Sequence, residues 1–186
     1  MSDGSFYLTT PIYYVNAAPH VGHAYTSIMA DIIARHRRQR GEAVFFLTGT
    51  DEHGTKIAQS AEAAGRTPRE HADALSQRFR EMGEVLGISN DFFIRTTLPE
   101  HAVEAGRFLE RMRDAGDIYR DSYGGWYCVA SESFYPENEW GEGRTCPVHG
   151  TPLEWVEEEN WFFRLSAFRE RLLAFYDANP DFVLPR

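Results

Sequence analysis

At 186 residues, 42% hydrophobic and 14% aromatic, the chain is long enough to bury a core and too apolar to be a disordered segment. A formal net charge of −9 excludes nucleic-acid binding through a generally basic surface, so any RNA contact must be local. No apolar run approaches the roughly 18 residues of a membrane helix, the first residues carry no secretory pattern, and two cysteines are too few for a disulfide scaffold; a cytoplasmic protein with no membrane partner is expected.

Phe6 to Thr10 alternates aromatic and β-branched residues before Pro11, which predicts a short strand ended by a residue that cannot donate to a ladder. After Gly22, the positions Tyr25, Ile28, Met29, Ile32 and Ile33 repeat at helical spacing, predicting a helix to about Arg40 with Gly41 as its stop and those residues on its apolar face. The basic run Arg35 to Arg40 at its end reads either as a solvated helix terminus whose cations suit the dipole or as a local RNA contact. Val44 to Thr48 is an unbroken apolar run of strand length, which suits a parallel strand covered on both faces.

Thr67-Pro68-Arg69-Glu70 is a capping box with proline at the first helical position, and Ala72, Leu75, Phe79, Met82 and Leu86 carry the helix on. A strand over 91–96 and a helix over about 100–115, with Val103, Leu109 and Met112 inward, complete a strand–helix alternation. That alternation predicts an α/β fold of the Rossmann-like, doubly wound kind. From Tyr119 to about Trp161 the chain turns aromatic, glycine- and glutamate-rich, predicting a small inserted β module, and a last amphipathic helix is expected from about Ser166 to Asn179 through Phe168, Leu172, Leu173 and Tyr176. The division expected is therefore 1–116 for the first half of the Rossmann-like domain, 117–161 for the insertion and 162–186 for a return helix.

The chemistry is expected between the first strand and the first helix, in Pro11 to His23. A ligand in an open α/β sheet sits beyond the carboxyl ends of the strands, where a helix start offers N–H groups and a positive pole to phosphate. His20 and His23 can donate to phosphate oxygens there, and Gly22 removes a Cβ that would keep a nucleotide away. Read blandly, both are satisfied surface or core histidines; a metal site lacks a third ligand nearby. Asp51 suits an ammonium as a strand-tip carboxylate, or serves as an N-cap, because a helical stretch follows. Cys128-Val129-Ala130-Ser131 and Cys146-Pro147-Val148-His149 make a zinc-like pattern in which Ser131 stands where a thiolate is needed. No metal, zinc completed by water or Glu132, and two plain thiols are the three outcomes.

His20-Val21-Gly22-His23 resembles the HIGH signature of class I aminoacyl-tRNA synthetases, and Thr9 to His23, Thr48 to Gly54, Phe93 to Thr97, Ala115 to Tyr119 and Phe162 to Leu165 resemble the methionyl-tRNA synthetase family in order along the chain. The resemblance implies ATP, methionine and the tRNA acceptor end as partners and Mg²⁺ carried with the ATP. It implies an ATP site of Pro11, Asn16, His20, Gly22 and His23, with the two histidines catalytic, and a methionine site of Ile12, Tyr14 and Asp51; zinc on Cys128, Cys146 and His149 is doubtful. It further implies an amino-terminal portion: no lysine-rich KMSKS-like loop or anticodon-binding domain occurs, and the rest of the catalytic domain must come in cis or in trans. Another synthetase or nucleotidyl transferase of the same signature, and a non-catalytic tRNA-binding paralogue, are the alternative readings.

Overall fold

Ser5–Thr9 forms β1, as its alternation of residue types requires, and Pro11 interrupts the edge, which resumes at Tyr13–Tyr14, β2. The central strand β3, Ala43–Asp51, pairs through Leu47 with both Thr9 and Phe92, and through Thr50 with both Tyr13 and Arg95. One residue has two sides. β1 and β2 therefore share one edge of β3, and β4, Phe92–Arg95, takes the other; every pairing is parallel. The computed structural model describes residues 4–184, in two compact units that divide between Glu104 and Ala105.

In the first unit α1, Val21–Gln39, runs where expected but presents the other face. Tyr25, Ile28, Met29, Ile32 and Ile33 are all exposed, and the buried residues are Ser27, Ala30, Asp31 and Ala34, with Ala30 and Ala34 packed on Phe46. At about 100° per residue the two sets lie on opposite sides of the helix. Small side chains let the helix backbone lie close to the sheet, where branched ones would hold it off. The expectation for β3 is corrected too: Phe45 is 48% exposed, and the enclosed stretch is Thr48 to Thr50, where Thr48 shares a 2.6 Å hydrogen bond with Thr10. Helix α2, Thr55–Ala63, takes Gly54 as its N-cap, so Asp51 is not a cap. Helix α3, Pro68–Val85, opens on the predicted box, in which Thr67 and Glu70 bond each other's backbone N–H. Tyr13, Val15, Ile57, Ala72 and Phe79 form the core between these elements.

Helix α4, Pro99–Asp114, buries no residue, and Val103 and Leu109 are each 52% exposed; the inward face expected for it is not buried among the described residues. In the second unit β5, Ile118–Cys128, pairs with β6, Ser133–Tyr135, on one side and with β7, Glu154–Phe163, on the other, all antiparallel. β7 runs on past residue 161, where Phe162 and Phe163 face Tyr119 and Ile118. The end of this ribbon closes over Cys128, Cys146 and Leu153, with Trp126, Tyr135 and Trp140 around them. A 3-10 turn over Leu165–Phe168 delays the final helix, so α5 spans Arg169–Ala178, and Leu172, Leu173 and Tyr176 stay at least 38% exposed.

Candidate functional site

His20 is the N-cap of α1 with an extended backbone, and its Nδ1 accepts from the Gly22 N–H at 3.0 Å. The His23 Nδ1 accepts in turn from the His20 N–H at 3.1 Å. Two imidazoles thus build the reciprocal cap that a serine or threonine usually shares with a glutamate. A ring nitrogen that accepts carries no proton, so in both residues the proton sits on Nε2. The two rings, 3.9 Å apart, thus each keep one N–H donor at the positive end of the helix. Burial, and then the neighbouring His20, hold the His23 pKa below its ordinary value, which favours the neutral donor.

Gly22 has a nearer reason to be glycine than ligand access. A Cβ there would stand 2.9 Å from His20 Cε1, so any side chain would push the capping ring out of place. Tyr13, which the sequence reading passed over, supports the other ring. Its hydroxyl bonds Ser27 Oγ at 2.7 Å, and the His23 ring lies 4.9 Å from Tyr13 and 5.0 Å from Phe79. Tyr13 and Val15 are buried, whereas Pro11, Ile12 and Asn16 are exposed and Tyr14 is half-buried.

Asp51 is half-buried at the tip of β3, opposite Tyr14, with its carbonyl accepting from the Val15 N–H. β2 therefore joins the two halves of the expected site: Tyr13 touches His23, and Tyr14 pairs with Asp51. The groove beside His20, lined by Pro19, Val21, Ala24, Met82 and Leu86, does not reach Asp51.

Beside Asp51 lies a network that sequence did not reveal. The Glu52 side chain is fully enclosed and takes a two-pronged contact from Arg95, Nε to Oε1 at 2.7 Å and Nη2 to Oε2 at 2.9 Å. Thr50 and Thr97 hydroxyls donate to the same carboxylate at 2.7 and 2.5 Å, and Arg95 reaches on to Asp73 of α3. Burial alone pushes the Glu52 carboxyl up; the bonds from Arg95, Thr97 and Thr50 outweigh it and hold it below the usual range. Of two adjacent acids, one is thus neutralised by a fixed cation. The strand tip is pinned further where His53 Nδ1 meets Thr96 Oγ1 at 3.0 Å.

The basic run at the end of α1 is occupied by structure. Arg35 bonds Asp31 and the Gly87 carbonyl, Arg37 pairs with Glu42, and Arg38 bonds Ser89 and Asp91. These contacts favour the structural reading over RNA.

In the second unit, Cys128 Sγ, Cys146 Sγ and a His149 ring nitrogen lie within 4.8 Å of one another. Ser131 Oγ is 3.3 Å from Cys146 Sγ and 2.9 Å from His149 Nδ1, at the fourth corner of the cluster. Burial pushes the Cys146 thiol up, but hydrogen bonds from Ser131 and from the His149 and Val148 segment bring it to about 5. The donor set is short of a closed structural zinc site by one ionisable ligand.

The family model described as tRNA synthetases class I (M) matches residues 6–183. A methionine–tRNA ligase of Thermotoga maritima is 53% identical over 97% of this chain and 29% of its own length, and one of Rhizobium meliloti is 51% identical over 97% and 36%. The methionyl-tRNA synthetase of Mycobacterium tuberculosis in complex with methionyl-adenylate superposes with a TM-score of 0.91 at 50% identity, over 98% of this chain and 36% of that one. The chain thus spans about a third of the length of the relatives it matches.

Proposed function

Because the chain belongs to the methionine type of class I tRNA synthetases, we propose that it supplies the first half of a methionine-activating site. The observation that carries this is the imidazole pair locked by both Nδ1 atoms into the α1 cap, which leaves each ring its Nε2–H as the donor at the helix start. In this reading His20 and His23 hold phosphate oxygens of ATP, Gly22 keeps the cap in register, and Pro11 and Asn16 border the nucleotide. Asp51 takes the methionine ammonium, and Ile12 and Tyr14 border the thioether.

A methionine carboxylate oxygen attacks the α-phosphorus as its bond to the bridging oxygen breaks, giving methionyl-adenylate and pyrophosphate. Charge grows on the phosphate oxygens, and two neutral N–H donors fixed by backbone contacts meet it without reorganising. Mg²⁺ would arrive with the triphosphate as part of the substrate and would supply positive charge to the pyrophosphate oxygens. Transfer of the methionyl group to the terminal ribose of tRNA is the second step. The insertion shapes the approach of the acceptor end, and with ten carboxylates against two arginines over 117–163 it does so by excluding phosphate rather than by gripping it. A cytoplasmic location goes with that role; no helix among the described residues is long and apolar enough to cross a membrane.

Proton NMR of the imidazole Cε1–H signals tests the reading. ATP is expected to shift those of His20 and His23, and Asp51→Asn to abolish the response to methionine while leaving that to ATP. An ATP response that bypasses both histidines would overturn it. Little or no methionine-dependent ATP–pyrophosphate exchange is expected of the chain alone, and exchange at the rate of a complete synthetase would refute the assignment of only half a site.

A further inference from the structure

We infer that the Cys128, Cys146 and His149 knuckle of this chain is closed by hydrogen bonds through Ser131 rather than by a zinc ion, and that Ser131 is the residue deciding between the two. The corner comes from two facing turns. Cys128 ends β5 and Ser131 follows in the tight turn to β6, where Glu132 takes a left-handed φ of 52°. Cys146 and His149 sit in a second turn, closed by the Gly150 N–H donating to the Cys146 carbonyl at 2.8 Å, with Gly150 at φ 67°.

Lengths separate a ligand edge from a hydrogen bond. A tetrahedral zinc with Zn–S of about 2.3 Å and Zn–N or Zn–O of about 2.0 Å sets sulfur and nitrogen donors roughly 3.5 Å apart and nitrogen and oxygen donors roughly 3.3 Å apart. The Cys146 Sγ to His149 Nδ1 separation of 3.6 Å matches such an edge, but Ser131 Oγ lies 2.9 Å from His149 Nδ1, the length of a direct hydrogen bond. A serine hydroxyl keeps its proton, so this corner donates where a thiolate would ligate.

The remaining polar atoms are met as well. Tyr135 Oη donates to Ser131 Oγ at 3.1 Å, the Ser131 N–H donates to Cys128 Sγ at 3.4 Å, and Thr151 Oγ1 lies 3.6 Å from that sulfur. Each corner of the cluster has a partner. Around it Trp140 Nε1 donates to the Tyr135 carbonyl, and the Arg144 guanidinium stacks 4.0 Å over Trp126 and 5.4 Å from Trp140, so packing reinforces the closure.

Metal analysis of the purified chain, with melting followed by tryptophan fluorescence, tests this. Wild type is expected to carry far less than stoichiometric zinc and to melt at the same temperature with or without a chelator. Ser131→Cys is expected to take up one zinc per chain and to lose several degrees of melting temperature on chelation. Ser131→Ala is expected to melt lower than wild type and to stay indifferent to the chelator. Stoichiometric zinc in wild type whose removal lowers its melting temperature overturns the inference, as does a folded Ser131→Cys chain that takes up none or a Ser131→Ala chain that melts like wild type.

Discussion

The two units solve the problem of charge in opposite ways. In the parallel-sheet unit acids are buried and matched: Glu52 with Arg95, Asp31 with Arg35 and Ser89, and Glu42 with Arg37. In the ribbon unit ten carboxylates over 117–163 face two arginines, and the structure relies on cross-strand pairing and aromatic contacts such as Tyr123 with Phe134 and Trp126 with Trp155. The first should be brittle to single substitutions and tolerant of salt, and the second the reverse. The difference can be read separately, because all four tryptophans, Trp126, Trp140, Trp155 and Trp161, lie in the ribbon unit. Fluorescence reports that unit, and amide exchange of β3 and β4 reports the other.

The largest effect is expected from breaking the Glu52 and Arg95 pair. Arg95→Met leaves a fully enclosed carboxylate without its cation, which costs about 3–5 kcal/mol, whereas changing both members, Glu52→Leu with Arg95→Met, should recover most of it. Exchange protection in β3 that barely drops in the single variant would show the pair to be dispensable. The same carboxylate fixes the response to acid. The folded-state pKa of Glu52, and that of Asp31, lies below the ordinary value, so their contribution is present above the unfolded pKa of about 4 and is lost as pH falls through the folded one. Protection in the sheet unit should therefore decline on acidification below about pH 4, and an unchanged sheet at pH 3 would contradict the assignment.

Glycines sharpen the contrast at intermediate size. At Gly49 in β3 a Cβ would meet the Ile94 carbonyl oxygen at 2.1 Å, and backbone cannot step aside; Gly49→Ala should cost about 3 kcal/mol. At Gly125 in β5 the obstacle is Phe134 Cδ1 at 2.9 Å, part of a ring that can turn, so Gly125→Ala should cost about 1 kcal/mol. Urea titrations of the two variants compare them directly. Equal losses would mean that the ribbon is as tightly determined as the sheet.

Local rules were legible in the sequence and long-range choices were not. The box at Thr67 and Glu70 and the strand before Pro11 depend on neighbours a few residues apart, and both form as read. The helix at Val21–Gln39 was legible as a helix, but its buried face was not: Ser27, Ala30 and Ala34 make no hydrophobic stripe, and closeness to Phe46 selects them over the bulkier side. The histidine pair could be read as a phosphate motif, while its capping geometry needed coordinates. Glu52 and Arg95 lie 43 residues apart, and only the parallel register of β3 and β4 brings them together. At the knuckle, spacing exposed the substituted corner because all four positions fall in two short turns.

The smallest expected effect concerns salt. Side chains two apart on a strand, such as Glu157 and Glu159, share a face at about 7 Å, where two like charges in water repel by roughly 0.6 kcal/mol. At about 10 mM ionic strength the Debye length is near 30 Å and such repulsions reach along the ribbon; at 1 M it is about 3 Å and they fade. The Arg120 contact with Glu159 weakens as well, but it is one attraction among several repulsions. Sodium chloride is thus expected to stabilise the ribbon by about 1 kcal/mol in fluorescence-detected melting. The sheet unit should respond less, since Glu52 and Arg95 are shielded from mobile ions. A ribbon that melts earlier as salt rises would mean that attractions such as Arg120 with Glu159 govern it, and the two units would then differ only in how deeply their ion pairs are buried.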